Sequence, residues 1–128
     1  MLFDTTFVIA YEREVKRNRP AAAHAFLTQH PNVPLYISII TVGEFAEGFD
    51  AAQQQDCWLC LNHYTVLDLT RDIAWRAAQI SRQLRASGQT IGDSDILIAA
   101  TALHHGLPLV TDNAQHFQRI TGLQVIGY

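Results

Sequence analysis

The sequence predicts an α/β fold, an α/β/α sandwich around a central parallel sheet of four to five strands. Short segments rich in β-branched and aromatic residues alternate with segments whose apolar residues recur at helical spacing. This alternation favours right-handed crossovers, and hence parallel strands covered by helices on both faces. The 128 residues can bury one core, and no repeat, low-complexity tract or linker divides them. We therefore expect residues 1–128 to form a single domain.

The first half of the chain is predicted to hold two strands and two helical regions. The apolar run "MLF" ends at Asp4, and "AAAHAFLTQH" is a helix stopped by Pro31. The β-branched and aromatic segment "LYISI" is a strand, and "VGEFAEGF" starts the next helix. That helix is expected to continue, after a break near Gly48, through "AQQQDCWLCL".

The second half is predicted to alternate in the same way. The strand "YTVLDL" precedes "TRDIAWRAAQISRQLRASG", a helix with Thr70 as its cap and Gly88 at its end. Another helix, "SDILIAATALHHG", stops at Gly106, and the strands "LPLVT" and "LQVIGY" enclose a helical turn, "AQHFQRI". The apolar positions of the long helix recur at helical spacing, namely Ile73, Ala77, Ile80 and Leu84.

Composition and charge are ordinary for a water-soluble protein. The chain is 48% hydrophobic and 16% charged, with a net charge of −3 and a pI near 6.0, so binding to a polyanion would need a local basic patch. Two arginine-rich segments are candidates, although solvated helix faces explain them equally well. They comprise Arg13, Lys16, Arg17 and Arg19 in the first, and Arg71, Arg76, Arg82 and Arg85 in the second.

We expect a cytoplasmic protein. Asp4 interrupts the N-terminus before the apolar stretch of a secretory signal can develop, and no apolar run reaches the length of a membrane span. Cys57 and Cys60 have the spacing of half a zinc site or of a redox pair, but no second Cys or His pair lies at a fitting distance. They are better interpreted as small apolar residues of a helix.

The acidic residues are distributed unevenly with respect to the predicted elements. Open α/β sheets bind their ligands at the carboxyl ends of the strands. Five of the twelve acidic residues follow strands or begin helices on that side, and the others lie in polar surroundings and are expected at the surface. The five are Asp4, Glu44, Asp93, Asp95 and Asp112.

Each of these carboxylates has a structural explanation to be weighed. An Asp at a helix start is commonly a cap, and Asp93 lies at the distance from the apolar run that a cap requires. Asp95 lies one turn before Ala99, beside the apolar stripe, so it is expected to point toward the sheet edge. Glu44 is flanked by apolar residues in the same way and is expected in the first turn of its helix.

Several carboxylates in one cleft repel one another and raise one another's pKa unless a cation holds them. Oxygen ligands without Cys or His nearby favour Mg²⁺ or Mn²⁺, with open positions for phosphate and water. Metal-assisted hydrolysis of a phosphodiester bond is the chemistry that uses such a site.

Three segments carry a family resemblance that extends over essentially the whole chain, namely "LFDTTFVI", "SIITVGEFAEG" and "DILIAATALHHGLPLVTDNAQHF". The most specific part lies within the third segment, where the Asp-Ile-Leu-Ile-Ala-Ala run is followed by a Leu-Val-Thr strand. The chain resembles the PIN-domain ribonucleases, and most of all the VapC-type toxins of toxin–antitoxin pairs. The resemblance implies a PIN-like fold.

The resemblance also implies a set of site residues. Asp4, Glu44 and Asp95 match the first three acidic metal ligands of the family, and Thr6 matches a small polar residue that helps to hold the metal shell. Asp93 is then a cap or an outer-shell carboxylate. The fourth position falls on Asp112 or Asn113, of which we favour Asp112, and His116 is also within reach of the cleft.

The implied function is Mg²⁺-dependent endonucleolytic cleavage of RNA by the toxin of a type II toxin–antitoxin system. The implied partners are an RNA substrate, a second copy of the chain in a homodimer, and a small antitoxin whose tail blocks the acidic cleft. As a hypothesis, the dimer aligns Arg13, Arg17 and Arg19 into a positive rim beside the cleft.

Two other functions are considered. The first is a non-catalytic module that binds RNA or a partner with an impaired metal site. The second is a phosphoaspartyl phosphatase or receiver domain with Asp4 as nucleophile, but these proteins need a late Lys, and the only Lys is Lys16. The phosphatases also need a second Asp where this chain has Thr6. Trp58 and Trp75 are predicted to be core or subunit contacts.

Overall fold

The computed structural model describes residues 1–128 as a five-stranded sheet with helices on both faces. The strands are β1 (Leu2–Phe3), β2 (Tyr36–Ser38), β3 (Thr65–Leu67), β4 (Leu109–Thr111) and β5 (Val125–Gly127). The helices are α1 (Thr5–Arg17), α2 (Ala22–Gln29), α3 (Ile39–Ala46), α4 (Gln54–Leu61), α5 (Arg71–Ala86), α6 (Asp93–His104) and α7 (Ala114–Phe117), and a 3-10 turn (Ala51–Gln53) precedes α4.

All neighbouring strands of the sheet are parallel, in the order β3-β2-β1-β4-β5. The central strand β1 pairs with β2 on one side and with β4 on the other, with Leu2 opposite both Tyr36 and Leu109. Both residues of β1 are fully buried, as expected for a strand covered on both faces. The predicted α/β/α sandwich is confirmed, with five strands.

Two hydrophobic clusters, one on each face of the sheet, form the core. Leu2 points to the face covered by α5 and α6, where Ile73 and Ala99 are fully buried. Phe3 points to the opposite face, covered by α1 to α4, and its ring lies 4.5 Å from that of Phe7. Because successive side chains of a strand alternate between faces, the two residues of β1 anchor both layers.

The helix α3 begins earlier than predicted. We expected "LYISI" to be a strand throughout, but β2 ends at Ser38, whose hydroxyl accepts a hydrogen bond from the backbone N–H of Ile40. This cap starts the helix at Ile39 and outweighs the strand preference of two isoleucines. Glu44 consequently lies in the second turn of α3, and its predicted place in the first turn is wrong.

Two further expectations are corrected. Gly92 occupies the N-cap position of α6, and no side chain caps the helix there. The prediction that Asp93 caps this helix is therefore wrong. Asp93 is the first helical residue and is exposed, where its charge still suits the positive end of the helix dipole. Trp75 is 69% exposed and Trp58 is 40% exposed, so neither is a core residue, and the other predicted role, a subunit contact, stays a prediction.

Several other expectations hold. The four apolar positions of α5 are buried, and Thr70 caps its start by accepting the backbone N–H of Ile73. Cys57 is a buried free thiol of the core, as the interpretation of the cysteines as small apolar residues predicts. Crossing a membrane would require a longer apolar helix than any that the structure contains.

Glu14 has a role that the sequence did not suggest. It was expected to be a surface residue, but its carboxylate accepts the backbone N–H groups of Ala21, Ala23 and His24 at 2.9 to 3.0 Å. The start of α2 lacks a capping side chain of its own. Glu14 therefore caps α2 from the end of α1, since free N–H groups at a helix start must find acceptors elsewhere.

Glu12, which was expected at the surface, is half-buried. Its Oε1 atom and the hydroxyl of Tyr64 are both buried without hydrogen-bond partners. Burial raises the pKa of the Glu12 carboxyl, an effect that nearby His63 and Cys60 partly offset. A carboxylate whose pKa is raised by folding destabilises the folded state wherever it is ionised.

We therefore expect Glu12→Gln to raise the thermal midpoint at pH 7 by about 1–3 °C. The gain should shrink as the pH falls through the raised pKa of Glu12, because protonation removes the same buried charge from the wild type. Calorimetry between pH 5 and pH 8 measures both effects, with the exposed Glu47→Gln as the control. A gain that grows toward low pH would contradict the assignment.

Candidate active site

The carboxyl ends of β1 and β4 place two acidic residues side by side. The two strands are parallel neighbours with Phe3 opposite Val110, and the backbone N–H of Asp4 donates to the carbonyl oxygen of Val110. Asp4 follows β1 directly, and Asp112 follows the last residue of β4. Strand pairing thus brings together two residues that are far apart in the sequence.

Asp4 is only 3% exposed and is surrounded by hydrogen-bond donors. Its Oδ1 accepts the backbone N–H of Phe7 at 2.9 Å and the hydroxyl of Thr6 at 2.8 Å. Its Oδ2 accepts the hydroxyl of Thr111 at 2.5 Å. The bond to Phe7 makes Asp4 the N-cap of α1, so this residue has a structural role whatever its chemistry.

The electrostatics of Asp4 favour a positive charge nearby. Burial raises the pKa of its carboxyl, the bonds from Thr111, Phe7 and Thr6 lower it, and the charge of Asp112 raises it again, with an upward net shift. Ionisation of Asp4 therefore costs more free energy in the folded protein than in water. A cation at this edge would reduce that cost.

Thr6 joins the two carboxylates. Its Oγ1 lies 2.8 Å from Oδ1 of Asp4 and 2.9 Å from Oδ1 of Asp112. A hydroxyl has one proton to donate, and an ionised carboxylate only accepts. The proton of Thr6 can therefore serve one of these oxygens at a time, which leaves negative charge uncompensated between them.

Glu44 reaches the same region from α3. Its Oε1 lies 2.6 Å from the hydroxyl of Thr5, the residue after Asp4. The same hydroxyl lies 3.1 Å from that of Thr41, which is fully buried one turn earlier on α3. Glu44 is half-buried, and its orientation is set by the first turn of α1.

Asp95 lies in the first turn of α6 and contacts His116 of α7. The Nε2 atom of His116 is 3.1 Å from Oδ2 of Asp95. The side chains are 24% exposed for His116 and 38% for Asp95. This is the one contact within 4.0 Å between a basic and an acidic side chain in the structure, so no Lys or Arg neutralises the carboxylates of Asp4, Glu44, Asp95 or Asp112.

The donor set suits a hard divalent cation, although the side chains as they stand are not closed around one. Carboxylate and hydroxyl oxygens are the ligands that Mg²⁺ and Mn²⁺ prefer. No three of the acidic, His or Cys side chains converge closely enough to hold an ion. Two of the four carboxylates, those of Asp4 and Asp112, share the hydroxyl of Thr6.

Comparison with known proteins identifies the family to which the chain belongs. Residues 1–123 match the family described as PIN domain. The chain belongs to the PIN-domain family.

Named relatives of this PIN domain lie among the VapC proteins. Ribonuclease VapC10 from Mycobacterium tuberculosis is 35% identical over 117 residues, which cover 91% of this chain and 85% of the relative. A solved structure of DNA-bound VapBC from Salmonella typhimurium is similar with a TM-score of 0.79, at 27% identity, covering 98% and 96% of the two chains. A toxin–antitoxin complex from Klebsiella pneumoniae has a TM-score of 0.68 at 27% identity, covering 98% and 94%. The VapC-type resemblance is confirmed.

Some residues that were predicted to belong to the site do not contact the four carboxylates. Asp93 is exposed and makes no side-chain hydrogen bond, and Asn113 contributes its backbone N–H, which donates to Oγ1 of Thr111 at 3.0 Å. The arginines of the first basic segment are exposed in the second half of α1 and beyond it, from about 12 Å (Arg13) to about 18 Å (Arg17) along the helix axis from Thr5. These are Arg13, Arg17 and, just beyond the helix, Arg19.

Three residues that contact the acidic side chains or lie near them were not predicted from the sequence. Thr5 donates to Glu44 and Thr111 donates to Asp4. Each of these threonines is next to a predicted acidic residue in the sequence, and that adjacency could have indicated the contact. Tyr128 had no such signal. Its ring centroid lies 4.8 Å from that of Phe7, and its hydroxyl is buried without a hydrogen-bond partner. Burial, and then the charges of Asp112 and Asp4, raise the pKa of Tyr128.

We expect Thr111→Val to destabilise the folded protein by about 1–3 kcal/mol, because it removes a donor from a buried carboxylate while preserving shape. Urea denaturation at pH 7 measures the change. Thr101→Val is the matched control, since Thr101 is equally buried but donates to a carbonyl oxygen within α6. Equal losses of stability in the two variants would show that the hydrogen bond from Thr111 to Asp4 contributes no more than one to a backbone carbonyl oxygen.

Proposed function

We propose that this PIN domain is a metal-dependent endoribonuclease and the toxin of a toxin–antitoxin pair. The observation that carries the proposal is the pair of carboxylates, Asp4 and Asp112, that share one hydroxyl proton and have no Lys or Arg to neutralise them. The 35% identity to a protein named ribonuclease VapC10 supports RNA as the substrate.

Asp4, Glu44, Asp95 and Asp112 would hold the metal ion, Mg²⁺ or Mn²⁺. When bound, the ion supplies a hydroxide near neutral pH and stabilises the leaving oxygen of the cleaved phosphodiester. Thr111, Thr6 and the backbone of Phe7 hold Asp4 in one orientation, and Thr5 holds Glu44. A site whose ligands are oriented in advance spends little free energy on reorganisation.

A small antitoxin is the proposed partner, because solved relatives of this fold are toxin–antitoxin complexes. A positively charged antitoxin tail would complement a cleft with four carboxylates and a single His partner. A homodimer would cover exposed apolar side chains such as Trp75, at 69%, and Leu59, at 58%. The arginines at the far end of α1 would contact RNA across that dimer.

The alternative is a module that binds RNA or a partner without cleaving it. The observation in its favour is that Asp4 caps α1, which accounts for this residue without any metal. Activity and Mn²⁺ binding by the purified chain separate the two functions.

We expect the purified chain, free of partner, to cleave RNA in the presence of Mg²⁺ or Mn²⁺, and Asp4→Asn and Asp95→Asn to lose at least about 100-fold in rate. The measurement is the cleavage of total cellular RNA across metal concentrations, with mapping of the cut ends. Asp72→Asn, exposed at the start of α5, is the matched control and should cleave as the wild type does.

Cleavage that survives in both variants would identify a contaminating nuclease. An inactive wild type that still binds Mn²⁺ would favour the non-catalytic module. A wild type that binds no metal would return Asp4 and Asp95 to structural roles.

The fourth acidic position has a separate test. We expect Asp112→Asn to reduce cleavage strongly, because it removes one of the two charges at Thr6. Asn113→Ala should retain most activity, since the hydrogen bonds of Asn113 in the structure all come from its backbone. Initial rates at saturating Mg²⁺ decide between them, and the opposite ranking would assign the position to Asn113.

A further inference from the structure

His116 is the one Lys, Arg or His side chain that lies within 4.0 Å of any of the four carboxylates. Its Nε2 atom lies 3.1 Å from Oδ2 of Asp95, and the other oxygen, Oδ1, makes no hydrogen bond within the protein. The proposed function gives His116 no part, and the contact joins two segments that are 21 positions apart.

The contact determines which ring nitrogen carries a proton. An ionised carboxylate can only accept a hydrogen bond, so the contact requires hydrogen on Nε2 of His116. That N–H donates to Oδ2 of Asp95 and occupies one of the two oxygens. The free oxygen, Oδ1, is then the one left to bind a ligand.

The helix that carries His116 is anchored to the acidic edge of the sheet. Before α7, the backbone N–H of Asn113 donates to Oγ1 of Thr111, the same hydroxyl that donates to Asp4. Within α7, Phe117 is 1% exposed, and the ring of His116 stands at 88° to it with centroids 5.5 Å apart. A buried neighbour and a bonded loop thus fix the imidazole in place.

We propose that His116 is a positioning residue that orients the Asp95 carboxylate, so that its Oδ1 faces the metal. This inference rests on the proposed function, in which Asp95 is a metal ligand. Partners that orient a metal ligand through a hydrogen bond generally govern metal affinity and activity. His116 acts through Asp95 and touches neither metal nor RNA.

Two substitutions at His116 separate the hydrogen bond from the packing. His116→Phe keeps an aromatic ring beside Phe117 and removes the donor. His116→Gln removes the ring and keeps an N–H donor at a similar reach. His105→Phe is the matched control, because His105 is exposed at the opposite end of the helix that carries Asp95.

We expect His116→Phe to weaken Mn²⁺ binding at pH 7 by about 10-fold or more, measured by calorimetry on the full chain. His116→Gln should bind Mn²⁺ within about threefold of the wild type, as should His105→Phe. Thermal midpoints of all variants check folding. Unchanged affinity in His116→Phe, or equal losses in the two His116 variants, would overturn the proposal.

The outcome is distinguishable from a failure of the proposed function. A wild type whose Mn²⁺ affinity depends on His116, but which cleaves no RNA, leaves the positioning role standing and removes the nuclease. If the wild type cleaves RNA and His116→Phe binds Mn²⁺ as tightly as the wild type does, only the positioning role is removed. A wild type without metal affinity removes both.

A second measurement uses the unaltered protein, in case a variant does not fold. Two-bond ¹H–¹⁵N correlation spectra of the histidines report which nitrogen of His116 is protonated. We expect Nε2 to carry hydrogen both before and after Mg²⁺ is added. An Nδ1–H tautomer without hydrogen on Nε2 after Mg²⁺ addition would overturn the proposal and indicate that His116 is itself a ligand.

Discussion

The buried carboxylate of Asp4 is the interaction on which the rest of the acidic edge depends. It starts α1 through the backbone of Phe7, joins β1 to β4 through the hydroxyl of Thr111, and shares Thr6 with Asp112. One side chain thus connects the central pair of strands with the helix that follows them. A carboxylate 3% exposed is costly to ionise, and these three donors offset part of that cost.

The arrangement around Asp4 leaves negative charge that no side chain of the protein neutralises. Donors satisfy Asp4, yet Asp112 adds a second negative charge at the same hydroxyl, and no Lys or Arg lies within ion-pair distance. A protein selected for stability alone would place a positive side chain at this edge. The unfavourable charge balance supports the proposed metal site, since perturbed ionisable groups concentrate at functional sites.

The sequence supplied more of the fold than of the site's geometry. The alternation of strands and helices predicted the parallel sheet, because period and composition are local properties. The start of α3 was misplaced, since the hydroxyl of Ser38 caps the helix against the strand preference of Ile39 and Ile40. Likewise, Trp75 was expected in the core or at a subunit contact, and its 69% exposure, which excludes the core, depends on which face of α5 meets the sheet.

By itself the sequence determined the residue types and their order: acidic residues at the ends of predicted strands and at helix starts, with hydroxyls beside them. Family resemblance then singled out four of these acids. Only the tertiary structure decided which groups meet, as in the sharing of Thr6 by Asp4 and Asp112, the approach of Tyr128 to the same charges, and the contact of His116 with Asp95. The physical reason is that strand order and helix packing set these contacts, and neither is encoded in any short stretch of the chain.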